Sequence, residues 1–134
     1  MTTEKIKNLI PKDKFDMSSF GQLMALSDEE ADVIIPDLLE WIQDMNWPVA
    51  PYMIKVLTKH RDVTEKHLPD LLRPGQKDAE WKLHIIRNLL NEWPSCPDDD
   101  RITAAIARIA DHPTKEECLE EVDVAAREYL DAFA

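Results

Sequence analysis

The most constraining feature of this chain is a repeated tetrapeptide. Pro-Asp-Leu-Leu occurs at residues 36–39 and again at 69–72, so the two copies lie 33 residues apart. A tryptophan follows each copy: Trp47 follows the first and Trp81 the second. The two tryptophans lie 34 residues apart, nearly the same distance as the two tetrapeptides. A period of about 20–50 residues is typical of proteins built from stacked structural repeats. The period therefore predicts a fold of layered, similar segments, and it predicts no particular chemistry.

Apolar residues recur with helical spacing, and no stretch shows the sustained alternation of a β-strand. In the clearest segment, from Ala79 to about Trp93, they follow the spacing i, i+4, i+7, i+11. Glycine, on which hairpin turns and phosphate-binding loops depend, occurs only twice. The nine prolines suit the first turns of helices. The sequence therefore predicts an all-α fold.

Capping patterns predict where several helices begin. Residues 27–30 (Ser-Asp-Glu-Glu) and 114–117 (Thr-Lys-Glu-Glu) both match the capping box. Asp78 and Asn46 are further candidate N-caps. We expect helices over about 18–26, 27–35, 36–43, 48–60, 63–72 and 79–93, another after Asp98-Asp99-Asp100, and a final one from Thr114 with Cys118, Val122, Ala125, Tyr129 and Phe133 on one side.

A chain of 134 residues fits one domain. We predict a single helical-repeat domain over residues 1–134, in which residues 1–16 form an extended lead-in. The predicted architecture is a short α-solenoid of HEAT-like helical hairpins, each covering its apolar side by stacking on its neighbour. An irregular helical bundle is the alternative. The solenoid interpretation requires Trp47 and Trp81 to have equivalent surroundings.

Four stretches of the chain resemble an uncharacterised family of short bacterial proteins. They are Leu-Ile-Pro-Lys-Asp-Lys-Phe-Asp at 9–16, Leu-Leu-Glu-Trp-Ile-Gln-Asp-Met-Asn-Trp-Pro-Val-Ala at 38–50, Glu-Trp-Lys at 80–82 and Glu-Glu-Val-Asp at 120–123. The resemblance covers nearly the whole chain. Because the family is a domain of unknown function, the resemblance supports a helical fold but implies no reaction and no catalytic residue.

Charge is unevenly distributed along the chain, whose net charge is −11. Residues 27–44 carry seven acids and no Lys or Arg, residues 98–134 have a net charge of −7, and residues 45–97 have a net charge of +2. Such negative charge opposes binding to nucleic acid or anionic lipid. No run approaches the roughly 20 apolar residues of a membrane span. With only Cys96 and Cys118, which we expect to be unpaired, the sequence favours a cytoplasmic protein.

The candidate partner-binding site is a polar strip on the two helices that follow the tryptophans. Its members are Lys55, Lys59, His84, Arg87, Asn88 and Asn91, with Trp47 as an aromatic platform. In stacked hairpins these residues would line one concave, mostly basic surface suited to an acidic peptide or protein segment. The simpler interpretations are a solvated helix face for the strip and core packing for Trp47.

The leading functional hypothesis is a non-catalytic helical-repeat module that binds protein through this strip. An alternative is an acidic immunity- or inhibitor-type protein that masks a basic partner through residues 27–44 or 98–134. A third is an enzyme with a site in a cleft between repeats. It has little support, because the four histidines lack metal-ligand spacing and the pairs at 116–117 and 120–121 lie on a helix that looks exposed. We expect no cofactor or metal, and the oligomeric state and the partner stay open.

Overall fold

The computed structural model describes residues 1–133, and these residues form helices and turns without a β-strand, as predicted. The chain divides into two compact units, Met1–His67 and a second that begins at Leu68. No helix among residues 1–133 has both the length and the apolar character needed to cross a bilayer. The helices of the first unit are α1 (Thr3–Lys7), α2 (Phe20–Ala25), α3 (Asp28–Asp32), α4 (Ile35–Glu40), α5 (Ala50–Lys59) and α6 (Arg61–Thr64), which continues as a 3-10 turn over Glu65–His67.

The second unit contains five α-helices among its described residues. They are α7 (Leu68–Leu72), α8 (Ala79–His84), α9 (Asp100–Asp111), α10 (Lys115–Leu119) and α11 (Val122–Ala132). Helix α8 continues through a π-helical turn over Ile85–Leu89 and a 3-10 turn over Leu90–Glu92. Helix α9 packs against α7 and α11, and α8 with its π turn packs against α11. The core of this unit includes three isoleucines of α9 without solvent exposure: Ile102, Ile106 and Ile109.

In the first unit, α5 packs against α2 and α4, and α3 packs against α1 and α6. Two histidine side chains contact the ends of α3. The ring of His60 is only 1% exposed, and its Nδ1 lies 2.9 Å from Oδ1 of Asp28 while its Nε2 lies 2.9 Å from the carbonyl oxygen of Leu23. His67 Nε2 lies 2.8 Å from Oδ1 of Asp32. The first and last residues of α3 are therefore committed to internal contacts.

Three of the predicted capping residues are confirmed. Ser27 and Thr114 form complete capping boxes at α3 and α10. The side chain of Asp78 accepts a hydrogen bond of 3.0 Å from the backbone N–H of Trp81. The predicted cap at Asn46 is wrong, because α5 begins at Ala50 and has Val49 in the cap position.

The predicted helix boundaries are wrong in four places where regular structure changes. The helix predicted over 63–72 is instead divided into α6, a 3-10 turn and α7. Within residues 1–16, predicted to be extended, Thr3–Lys7 forms α1 behind a capping Thr2 side chain. The helix predicted from Ala79 changes hydrogen-bonding pattern at its π turn. The predicted final helix is broken at Glu121, whose φ of 58° is left-handed and ends α10 before α11 begins. Of the residues predicted to face inward, Cys118 in α10 and Phe133, which follows the end of α11, are both exposed.

The two copies of the tetrapeptide have similar local structure but different neighbours. Each lies in a short helix with proline as its second residue, α4 in the first unit and α7 in the second. Helix α4 packs against α5, whereas α7 packs against α9. Trp47 is half-buried in a turn before its helix, whereas Trp81 is buried in the first turn of α8. The predicted equivalence of the two tryptophans is therefore wrong.

Candidate functional site

The first unit contains a cleft of about 390 Å³ beside α4. Its walls combine two tryptophans, two carboxylates, one amide and an aliphatic pair, namely Trp41, Trp47, Asp37, Glu40, Gln43, Ile10 and Pro11. Ligand pockets in proteins typically occupy about 300–1,000 Å³. A volume near the lower end of that range suits one small group or one side chain.

Two indole rings form a corner of this cleft. The ring centroids of Trp41 and Trp47 lie 5.6 Å apart, and the ring planes meet at 67°. This edge-to-face arrangement is favourable for aromatic pairs, which contribute about 0.5–1.5 kcal/mol beyond their buried area. Both side chains are half-buried. The contact between the two rings limits the movement of both side chains, and each remains partly exposed to solvent.

Helix α4 supplies both carboxylates. Its residues Leu38 and Leu39 are 0% and 1% exposed, so this side of the helix is fixed in the core. Asp37 and Glu40 are spaced i, i+3, which places them on one face of a helix, and both are exposed. The packing of the leucines therefore holds the two carboxylates at the cleft.

The turn after α4 positions Trp47. Oδ1 of Asp44 accepts a hydrogen bond of 2.9 Å from the backbone N–H of Asn46, and the Asp44 carbonyl accepts one of 3.2 Å from the N–H of Trp47. The backbone N–H of Val49 donates to the carbonyl of Lys14 at 2.9 Å. This last bond ties the turn to the N-terminal segment that provides the aliphatic wall. Asn46 thus acts as a donor within a turn.

The cleft carries uncompensated negative charge. None of its seven lining residues is Lys, Arg or His, and within residues 1–133 neither Asp37 nor Glu40 has an ion-pair partner. Other acids of the run 27–44 are used inside the unit: Asp28 with His60, Glu30 with the N-terminal amine of Met1, and Asp32 with Lys66 and His67. The seven acids of the run therefore fall into three groups. Three have internal partners, Asp37 and Glu40 line the cleft, and Glu29 and Asp44 neither line it nor have an ion-pair partner within residues 1–133.

The predicted strip has its first two residues in the first unit. Lys55 and Lys59 are exposed on α5. The Nζ atom of Lys55 lies 6.0 Å from the ring centroid of Tyr52, at the outer limit of a cation–π contact. Trp47, predicted with these lysines, lines the cleft with Trp41.

The other four strip residues belong to the second unit, where acids accompany the two basic side chains. His84 Nε2 lies 3.5 Å from Oε1 of Glu80, and Arg87 Nη2 lies 3.8 Å from Oε2 of Glu128. Asn91 donates its side-chain amide to the carbonyl of Arg87 at 3.2 Å, and Asn88 is half-buried. These neighbouring acids reduce the positive charge that the sequence predicts for this part of the strip.

A buried ion cluster in the second unit was not predicted. Glu117 and Lys82 are both fully buried, and Oε2 of Glu117 accepts a hydrogen bond of 2.7 Å from Lys82 Nζ. Arg108 donates to both carboxylate oxygens, at 2.5 and 2.9 Å. Burial raises the pKa of Glu117, but the bonds from Arg108 and Lys82 outweigh it and lower that pKa from 4.5 to about 2. The expectation of an exposed Glu116-Glu117 pair is wrong for Glu117.

Only part of the cleft had a signal in the sequence. The acidic run pointed to Asp37 and Glu40, and the repeat pointed to Trp47. Trp41 carried no separate signal. The Ile10-Pro11 wall was missed because it joins the cleft only through tertiary contacts across about 30 residues.

These observations define the class of the molecule as an all-α protein whose first unit bears an open, negatively charged aromatic cleft. Residues 9–130 match the family described as a domain of unknown function (DUF5071), and the chain belongs to that family. No curated protein matches the sequence. Membership confirms that the chain resembles a domain of unknown function, and it assigns no reaction.

Proposed function

We propose that this protein is a non-catalytic interaction module that binds a positively charged segment of a partner protein through the cleft beside α4. The observation that supports the proposal most is the combination of two half-buried indoles with two carboxylates that lack ion-pair partners within residues 1–133. Indole faces attract cations, and carboxylates accept hydrogen bonds from them. A partner with a basic segment satisfies both groups at once.

This proposal agrees with the immunity- or inhibitor-type hypothesis, in which the acidic run 27–44 covers a basic partner. A surface of one charge sign also accelerates capture of an oppositely charged protein. We retain a cytoplasmic location as part of the proposal. Of the HEAT-like architecture, the proposal keeps only one helical hairpin, which the packing of α4 against α5 supports. It does not include stacked equivalent repeats, because Trp47 and Trp81 have different surroundings.

Two other hypotheses have less support. An acidic partner held by the strip of Lys55, Lys59, His84 and Arg87 is disfavoured by the acids beside the last two. Catalysis by Asp37 and Glu40 is disfavoured because both are exposed, whereas paired catalytic carboxylates need different and partly buried settings.

A peptide-binding measurement tests the proposal. A fluorescent peptide alternating Lys or Arg with Ser is titrated with the protein, beside a matched peptide carrying Glu in place of the basic residues. We expect binding of the basic peptide only, and we expect it to weaken as sodium chloride is added. Stronger binding of the acidic peptide would refute the proposal and favour the strip.

A charge-matched pair of variants locates the binding. Asp37→Asn/Glu40→Gln removes the cleft carboxylates, and we expect affinity for the basic peptide to fall about three- to tenfold. Glu120→Gln/Asp131→Asn removes two exposed acids outside the run 27–44 and changes net charge equally, so we expect a smaller effect. Equal losses in both variants would show general charge attraction and would reject the cleft as the site.

A further inference from the structure

We propose that the cleft takes a single arginine side chain in preference to lysine, an inference that rests on the function proposed above and specifies its ligand. The preference follows from the shape of the aromatic corner, the number of acceptors around it and the size of the cleft.

The aromatic corner favours a planar cation. With the indole planes of Trp41 and Trp47 at 67°, one ring can lie against a flat group while the other closes its side. A guanidinium group is planar and stacks on aromatic faces, whereas an ammonium group is a compact charge with no face. Guanidinium is also more weakly hydrated than ammonium. It therefore loses less hydration free energy when the half-buried indoles displace its water.

The acceptors around the corner favour a cation with many donors. Asp37 and Glu40 each offer two carboxylate oxygens, and Gln43 adds an amide oxygen. An arginine side chain has five N–H donors in a fixed fork and can bond a carboxylate through two of them, whereas lysine has three on one atom. Arginine can therefore serve both carboxylates on α4 while it stacks.

The size of the cleft limits how much of a partner it admits. At about 390 Å³ it has room for one long side chain and little more. The aliphatic wall of Ile10 and Pro11 offers apolar surface to the methylene stem of such a side chain. One arginine of a basic segment would therefore enter the cleft, while its neighbours remain at the surface.

The test uses the 15N-labelled full chain and three capped pentapeptides that differ only at a central residue flanked by glycines: arginine, lysine or the neutral isostere citrulline. Indole N–H signals of Trp41 and Trp47, assigned with Trp→Phe variants at each position, report on the cleft. Trp81 and Trp93, which are buried in the second unit, serve as internal controls. We expect the arginine peptide to half-saturate the shifts at about five- to tenfold lower concentration than the lysine peptide, and citrulline to cause none.

The other outcomes separate the two proposals. Equal half-saturation by arginine and lysine overturns the arginine preference and leaves the proposed function standing. No shift with either cation overturns both. Asp37→Asn/Glu40→Gln should remove most of the difference between arginine and lysine, while Glu120→Gln/Asp131→Asn should retain it. An unchanged difference in the first variant overturns the role given to the carboxylates.

Discussion

Replacing Glu117 by glutamine should destabilise the protein strongly, because its carboxylate satisfies four donors at once. Beyond Lys82 and Arg108, its Oε1 accepts a hydrogen bond of 2.8 Å from the backbone N–H of Thr114. Glutamine keeps one oxygen and turns an NH₂ group toward these donors. Lys82, which is 0% exposed, would then remain buried without its counter-charge. Breaking a buried ion pair in this way costs about 3–5 kcal/mol, a large part of the roughly 5–15 kcal/mol that stabilises a typical domain.

The pKa of Glu117 gives a second estimate of how much its ionised carboxylate contributes to the free energy of unfolding. The fall of the Glu117 pKa from 4.5 to about 2, at about 1.4 kcal/mol per pKa unit, corresponds to about 3 kcal/mol of stability. Because the pKa is lower in the folded state, this contribution is fully present above about pH 4.5. It is lost as the pH falls through about 2, when the folded protein also binds the proton. Glu117→Gln lacks this proton-linked contribution at every pH.

Urea unfolding of both proteins, followed by circular dichroism at several pH values between 7 and about 2, measures the difference. Other carboxyl groups titrate in both proteins, so the difference in unfolding free energy isolates Glu117. We expect the difference in unfolding free energy to be about 3–5 kcal/mol near neutral pH and to decrease steadily below pH 4.5. Glu120→Gln, an exposed neighbour, is the control and should change stability by less than about 0.5 kcal/mol. A difference under about 1 kcal/mol, or one that does not vary with pH, would refute the reasoning.

Three further substitutions, the last with a matched control, test local features of the fold. His60→Phe removes a buried ring that is bonded at both nitrogens, and urea unfolding should show a loss of about 2–3 kcal/mol; no loss would mean the bonds are not formed in solution. Ser27→Ala removes the side-chain acceptor of a capping box and should cost about 1 kcal/mol in the same assay. Glu121→Gly relieves the backbone strain of a left-handed residue and should stabilise the protein by about 0.5–1 kcal/mol. Glu120→Gly, at a φ of −95°, is the control and should destabilise the protein. Equal effects of the two substitutions would argue against the helix break at Glu121.

Features encoded within a few residues could be predicted from the sequence. Both capping boxes and the cap at Asp78 are confirmed, because each requires only that a side chain reach a backbone N–H two or three residues away. The helical class followed from apolar spacing for the same reason. The start of α4 at the first tetrapeptide copy also followed locally, since proline is tolerated in the first turn. The separate start of α7 at the second copy was not predicted, because one helix was expected over 63–72.

Features decided by tertiary packing could not be predicted in this way. The apolar spacing from Ala79 onward fits an α-helix, so it gave no signal for the π turn over Ile85–Leu89, which lies against α11. The burial of Glu117 depends on Lys82, 35 residues away, and a capping-box glutamate normally remains in water. The equivalence of Trp47 and Trp81 failed because their surroundings come from different helices, although their offsets match.

The candidate site shows why composition alone gave an incomplete account of the acidic run. A run of seven acids without a base in residues 27–44 is compatible with solubility alone. The fold separates its members. Asp28, Glu30 and Asp32 of α3 have basic partners within the first unit, whereas Asp37 and Glu40 on α4, like Glu29 and Asp44, have no ion-pair partner among residues 1–133. The partnered acids contribute to stability and lose their attraction for an outside cation. The charge available for binding therefore includes both carboxylates on α4, which lie at the cleft beside the edge-to-face pair of Trp41 and Trp47.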